Sequence, residues 1–431
     1  MKRRRLTRVV GTDQSDYNRA MIDSLEPGIC SKIFLSLLPH LGSSFSEQLE
    51  ECLSELEKRA QAAGRDLSNI LMLTFFIRTE DNNDYSRKKT LGTSIVQKIF
   101  KSDIPATSFV AQHPEEGKQV SLDAILLSHS DRAKVHHNNC EGIPYTAVDS
   151  PLFTEVYAAG LANHPDQSDT RTQCREAFDS MKRVLKSEGM DFSHIVRQWN
   201  FIEKFLKISS GQDGTQQNYQ IFNDFRSIFY GEAEFPNGYP ASTGIGMFSG
   251  GVVLECIALK PATGIFIAPL SNPLQKDAHA YSQDVLVGDS GQGFEKKASP
   301  LFERAKIVIQ GSSGIIFVSG TAAVRGQNTI SEQDIQSQTV STIENIDTLI
   351  SAENLLSIGV DIGSSSPRLS QLRVYVKRDR DIPLVKKICK NHYGDIPSQY
   401  VISDICREAL LVEIEGAVCV PIHGIQNHRG G

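Results

Sequence analysis

The sequence has no run of about eighteen apolar residues, the length a membrane-crossing helix needs. Its basic start, MKRRRLTRVV, leads into polar GTDQSDYNRA and not into an apolar stretch with a cleavage site. These two absences predict a soluble, cytoplasmic chain with no membrane partner, whose first residues form a frayed, solvated tail. No CxxC pair occurs, and the eight cysteines, at 30, 52, 140, 174, 256, 389, 406 and 419, have no histidine at a zinc-ligand spacing. They predict reduced thiols and no metal. His136 and His137 are adjacent, so in regular structure they point different ways and do not chelate together. Strong charge of one sign is also missing: the net charge is -6, and no basic and aromatic stripe stands out, which argues against a nucleic-acid partner. The fingerprint GxGxxG is absent, and STGIGM lacks the acidic residue that follows a Rossmann-like strand. NAD and FAD are therefore not expected, and the chain is predicted to work without a cofactor.

What is present is a repeat. The segment GRDLSNILMLTFFIRTEDN, from Gly64, recurs as GMDFSHIVRQWNFIEK, from Gly189, an offset of 125 residues. Upstream of each lies an amphipathic helix, with Leu49, Leu53 and Leu56 on one stripe of the first and Phe178, Met181 and Leu185 on that of the second. A third version follows as DIQSQTVSTIENIDTLI, a longer loop and QLRVYVKRDRD. Each copy closes with a proline turn and an apolar strand: IPATSF then VSLDAILL, YPASTGIGM then GVVLECIALK, and IPSQYVISDICREALLVEIEGAVC. Asp123, Glu255 and Glu415 take the same place in these closing strands. The fold class read from this pattern is α+β: three modules, each a sheet with one helix-covered face, closing around a shared axis as a pseudo-trimer. The expected divisions are 1–130, 131–262 and 263–431, with the Gly-, Ser- and Pro-rich stretch 263–314 read as a connector and the first strands of the third module.

This order of elements, ending in VEIEGA, resembles the Rid (YjgF-like) superfamily, whose simple members are homotrimers with sites between subunits. Its imine deaminases carry an arginine just after the turn proline. Here the positions hold Thr107, Ser242 and Gln399, which speaks against deamination. A narrower resemblance, to the chorismatases, is carried in order by SPLFTEVYAA, RQWNFI, YPASTGIGMFSGG, FVSGTAAVRG, QLRVYVKR and SDICREALLVEIEG. The first module lies outside it, a departure from the shorter chorismatases, and is expected to be non-catalytic.

That resemblance implies an enzyme that releases pyruvate from the enol ether of chorismate, with one site between the second and third modules. The implied acid is Glu413, since a carboxyl buried in an apolar strand stays protonated near neutrality. Glu415 alternates to the same face of an ideal strand, so the two either share a site or are divided by a local bend. Gly320 and Cys406 resemble the type that forms 3-hydroxybenzoate, where the hydrolytic type tends to carry alanine at both. A thiol seven residues before the acid can shuttle a proton as the ring aromatises; the plainer reading of Cys406 is a small buried hydrophobe. Arg197 and Arg373 are candidates to grip the two carboxylates, because a guanidinium donates two parallel hydrogen bonds. Trp199 and Tyr375 share their strand faces, and Tyr239 and Thr243 are placed to hydrogen-bond the substrate. The alternatives are the hydrolytic chorismatase and a non-enzymatic Rid-like scaffold for a small ligand. An RNA-cleaving role has no support in the charge balance. Three modules in one chain satisfy the trimeric geometry, so a monomer or weak homodimer is expected.

Overall fold

Gly64 and Gly189 end their helices in left-handed backbone, with φ of 70° and 64°, a conformation open to glycine because it has no Cβ. Two residues later Asp66 and Asp191 accept the amide hydrogens of Ser68 and Ser193 and cap a single 3-10 turn that feeds a strand. The repeat in the sequence is thus a repeat of one helix-to-strand junction.

The computed structural model describes residues 28–40, 44–128, 133–162, 169–211, 214–291, 293, 295–330 and 334–426. The basic start at 1–10 and the expected junction at 130 lie outside the described residues. The first module runs β1 (Lys32–Leu37), α1 (Phe45–Ala62), β2 (Ile70–Ile77), α2 (Asn82–Phe100), β3 (Ala106–Val110), β4 (His113–Pro114) and β5 (Val120–Leu127). The second runs β6 (Lys134–Cys140), β7 (Ile143–Asp149), β8 (Phe153–Ala162), α3 (Thr170–Ser187), β9 (Ile195–Glu203), a hairpin of β10 (Ile208–Gly211) and β11 (Gly214–Gln217), α4 (Asn218–Tyr230), β12 (Ala241–Met247) and β13 (Val252–Pro261). The third has β14 (Ile265–Leu270), β15 (Ala305–Gln310), β16 (Ser313–Ala322), the short β17 (Val324–Arg325) and β18 (Asn328–Thr329), α5 (Ile335–Leu349) and α6 (Ala352–Ser357). It continues with β19 (Val360–Asp361), β20 (Gln371–Val376), α7 (Ile382–Tyr393), β21 (Ser398–Ile402), β22 (Val412–Pro421) and β23 (Gly424–Ile425).

One strand order is built three times: β1-β5-β2-β3, β8-β13-β9-β12 and β16-β22-β20-β21. In each, the proline-turn strand runs parallel to the second strand, and the closing strand runs antiparallel to it. Strands β6 and β7 widen the second sheet, while β14 and β15 widen the third, whose far edge takes up β4 of the first module through Pro114 opposite Val401. This interlock ties the ends of the ring together without a covalent bond.

The stripes predicted on α1 and α3 are all buried, each such side chain contributing on the order of 1.5–3 kcal/mol. The helix-covered faces of the second and third sheets have separate cores. The opposite faces of all three sheets meet in one core that includes Phe75, Tyr157, Phe201, Phe317 and Tyr375. The α+β architecture of three repeated Rid-like modules is therefore as the sequence pattern predicts. All eight cysteines are free, and among the described residues no helix is long and apolar enough to cross a membrane.

Candidate active site

The register of the closing strands brings three acids to one place. Asp123 stands opposite Thr74, Glu255 opposite Trp199 and Glu415 opposite Arg373, each pair within one sheet. The side chains then cross the seams. Thr74 Oγ1 donates to Glu255 Oε1 at 3.0 Å, Trp199 Nε1 to Glu415 Oε1 at 2.6 Å and Arg373 Nε to Asp123 Oδ2 at 2.9 Å. Each module thus donates to the acid of the next, a closed ring of three bonds. Glu415 is held most fully: it also accepts from Arg197 Nη2 at 2.7 Å, from Thr243 Oγ1, and pairs with Arg373 Nη1 at 3.4 Å. Burial pushes Asp123 up, and pushes Glu255 up to about 7, against the lowering pull of Arg373 in both cases.

Two residues before each ring acid the chain carries Ser121, Val253 and Glu413, opposite Phe76, Phe201 and Tyr375. Only the third module has a carboxyl there. Glu413 is 4% exposed, and burial, helped by the charge of Glu415, pushes it up to about 8. It lies in a cavity at the seam of the second and third modules, with Gly320, Cys406, Tyr219, Tyr281, Arg304 and Arg407 in the walls. The strand opposite explains the seat. Between Val318 and Thr321 the pairing of β16 with β22 slips by one residue, so Ser319 and Gly320 together face Glu415. Glu413 Oε1 occupies the space where a side chain at 320 would start, so any Cβ there would collide with it.

Gly320, Cys406 and Glu413 are therefore brought together, as the sequence reading expected. Burial pushes the Cys406 thiol up to about 12, with the charge of Glu413 adding to the effect, so it holds its proton near neutrality. Arg197, Trp199 and Arg373 sit elsewhere: they surround Glu415 and line a second, axial cavity with Asp123. Tyr375 is fully buried opposite Glu413. Thr243 stands between the two groups. Tyr239 lies at the seam but outside both cavity walls, its ring against Tyr230 and Phe235 and its amide donating to Glu303 Oε1 at 3.0 Å. The bend left open between Glu413 and Glu415 takes the form of that bulge on the neighbouring strand, and the two carboxyls line different cavities.

Sequence reasoning missed the cations of the Glu413 cavity. Arg304 is 4% exposed and donates to Lys276 O at 2.5 Å and Tyr281 Oη at 2.7 Å. Arg407 donates to Thr329 Oγ1 at 3.1 Å, and both guanidinium groups lie 5.6 Å from the Tyr281 ring. Arg407 directly follows Cys406 within one of the strings read as informative; Arg304, in the loop before β15, belongs to no repeat. Among the described residues, Asp277, His279 and Glu303 are the group whose ligand atoms, within 4.8 Å of one another, could hold a metal ion. His279 Nε2 lies 3.6 Å from Glu303 Oε2, and Ser271 Oγ donates to Asp277 Oδ2 at 3.1 Å, while Asp277 Oδ1 has no hydrogen-bond partner.

Comparison with known proteins places this geometry in a family. The model described as "Chorismatase FkbO/Hyg5-like, N-terminal" matches residues 129–258. A 3-hydroxybenzoate synthase of Streptomyces hygroscopicus is 32% identical over 291 residues, covering 66% of this chain and 79% of that protein. A chorismatase of Streptomyces rapamycinicus is 30% identical over 275 residues, covering 62% of this chain and 75% of that protein. A solved chorismatase structure, 19% identical, shares the fold with a TM-score of 0.61 over 90% of this chain and 98% of its own. A match over 90% necessarily reaches into the first module, so that module is not the departure in fold that the sequence alone suggested. With a relative 32% identical matched over 79% of its length, the chain belongs to the chorismatase family.

Proposed function

We infer that this protein cleaves the enolpyruvyl ether of chorismate, releasing pyruvate and forming 3-hydroxybenzoate. The observation that carries the reading is Glu413: a carboxyl 4% exposed and pushed up to about 8, beside Gly320 and Cys406 in a cavity walled by two arginines. An enol ether is cleaved by protonating its methylene carbon, and a neutral carboxyl is the proton donor for that step. Glu413 gives its proton to the carbon, and the ring C3–O bond breaks to release pyruvate as the C4 hydroxyl oxygen closes on C3. The resulting 3,4-epoxide opens at its C4–O bond and loses the C3 proton, leaving one hydroxyl on C3, and the net loss of one proton from the ring restores the acid. No water is added, so the two products together have the formula of chorismate. Cys406, protonated and in the wall of the same cavity as Glu413, relays that last proton. Arg304 and Arg407 suit the two carboxylates of the substrate. Arg197, Trp199, Arg373 and Tyr375 act behind Glu413 by fixing Glu415 and the strand.

One productive site is expected. Ser121 and Val253 supply no acid at the other two seams, and Gln399 Nε2 donates to Ser121 Oγ where the cavity would be. Family membership favours this reading over the non-enzymatic scaffold, and the 3-hydroxybenzoate synthase relative favours it over hydrolysis. The protein is expected to act in the cytoplasm, as a monomer or weak dimer, and without a metal. The test is incubation of chelator-treated protein with chorismate, following pyruvate and ring products by chromatography and mass. Equal yields of pyruvate and 3-hydroxybenzoate support it; a dihydroxycyclohexadiene acid moves it to the hydrolytic branch, and no pyruvate from folded protein removes it.

A further inference from the structure

Thr243 is 1% exposed, on β12 opposite Trp199. A hydroxyl has one hydrogen to give and two lone pairs to accept with. Here all three are used. The Thr243 hydroxyl donates to Glu415 Oε2, and its oxygen accepts from Arg197 Nη2 at 2.7 Å and from the backbone amide of Gly320 at 2.9 Å. No capacity is left for a ligand. The third of these bonds pins the bulge of β16 at the residue where Glu413 Oε1 is seated, and a Cβ at 320 would lie 2.9 Å from Thr243 Cγ2. The hydroxyl therefore fixes the backbone wall behind Glu413.

We propose that Thr243 is a positioning residue and not a substrate ligand: it joins the caged Glu415 to the bulge that seats Glu413, and so holds Glu413 in its buried orientation. The inference rests on the reading that Glu413 is the proton donor. The groups that face Glu413 are Glu415 on its own strand, Arg304 before β15, Arg197 on β9, Tyr219 on α4, and Cys406 and Arg407 in the turn before β22. Thr243 bonds to two of these, Arg197 and Glu415, and to none of the others, so the titration of Glu413 is read together with kcat.

The test compares Thr243→Val and Thr243→Ser with the unmodified protein. Two quantities are read: steady-state turnover of chorismate, and the titration of the Glu413 carboxyl by carbon NMR of glutamate-labelled protein, assigned with Glu413→Gln. Displacing a reacting group by about 1 Å costs roughly a hundredfold in rate. The valine variant is expected to lose about that factor in kcat while KM changes little, and its Glu413 is expected to titrate below the value of about 8 expected in the unmodified protein, because a loosened carboxyl reaches water. Serine, which keeps the hydroxyl, is expected to restore both. Should the valine variant fold poorly, Thr243→Cys, a weak acceptor, is read the same way. A raised KM with kcat and titration unchanged would make Thr243 a substrate ligand and overturn the proposal, as would a folded valine variant unchanged in all three. Failure of the unmodified protein to turn over chorismate removes the proposed reaction, while the titration still decides the role of Thr243.

Discussion

Gly320 and Glu413 share one volume: the carboxyl oxygen of the glutamate fills the space that any side chain at 320 would enter. Glycine at 320 is thus the condition for Glu413 to lie in its present orientation. Gly320→Ala is expected to keep the fold, because the displaced atom is the end of a side chain, and to push Glu413 away. Formation of 3-hydroxybenzoate should fall roughly ten- to a hundredfold, the cost of misplacing a reacting group, with hydrolytic product rising in its share. Product ratios by chromatography check this.

Glu413→Gln preserves volume and removes the proton. Its kcat is expected to drop by about 10²–10⁴, the usual contribution of a positioned acid. In the unmodified protein kcat should fall as pH rises through about 8, where Glu413 gives up its proton, and the glutamine variant should lack that limb. A pH profile with no limb near that value would remove Glu413 from the role.

Arg304 and Arg407 carry no role in the ring around Glu415, so their effects should separate from it. Replacing either by alanine removes a charge-assisted hydrogen bond to a carboxylate, worth about 1.5–3 kcal/mol. KM for chorismate is expected to rise roughly ten- to a hundredfold, with the melting temperature little changed in the Arg407 variant and lowered in the Arg304 variant, whose guanidinium is buried and hydrogen-bonded. Unaltered KM in both variants would move the carboxylate grip elsewhere.

Arg373→Met should behave in the opposite way. It leaves Asp123 and Glu415 buried without their shared cation, and breaking such a set costs on the order of 3–5 kcal/mol. Denaturant unfolding should show that loss with m unchanged.

Glu255 offers a stability test apart from the reaction. Its folded value, about 7, lies above its ordinary value of 4.5, so the folded state holds its proton longer than the unfolded chain does. The stability this adds is complete below about 4.5 and is lost as pH rises through about 7. Glu255→Gln should therefore raise the melting temperature at pH 8 relative to the unmodified protein, and by less at pH 5.

The modules were legible in the sequence because their signals are local. Periodic stripes, Gly64 and Gly189, and the aspartate caps each act within a few residues. The second helix of the first module, α2, was not read, since NNDYSRKKTLGTSIVQKIF buries a mixed set including Lys88 and Asp84, which form a buried pair at 2.9 Å. In the site, Glu413, Gly320 and Cys406 were found through strings of sequence. Arg197 and Arg373 were also singled out, but strand alternation fixes only which face a side chain takes. Which of two cavities on that face it lines depends on the partners that meet it across the seams, Glu415 for Arg197 and Asp123 for Arg373, and those belong to other modules. Arg304 was invisible because a loop, with no period, delivers it.

The ring of three bonds also says something about how such a protein can change. In an assembly of three identical chains, one substitution falls on every seam at once, and a buried acid added at one would have to be tolerated at all three. Here the donors are threonine, tryptophan and arginine, so each seam varies by itself. Two seams can remain purely cohesive while the third accommodates a carboxyl that resists ionisation, and a single polypeptide thereby holds a lopsided feature that exact symmetry would multiply.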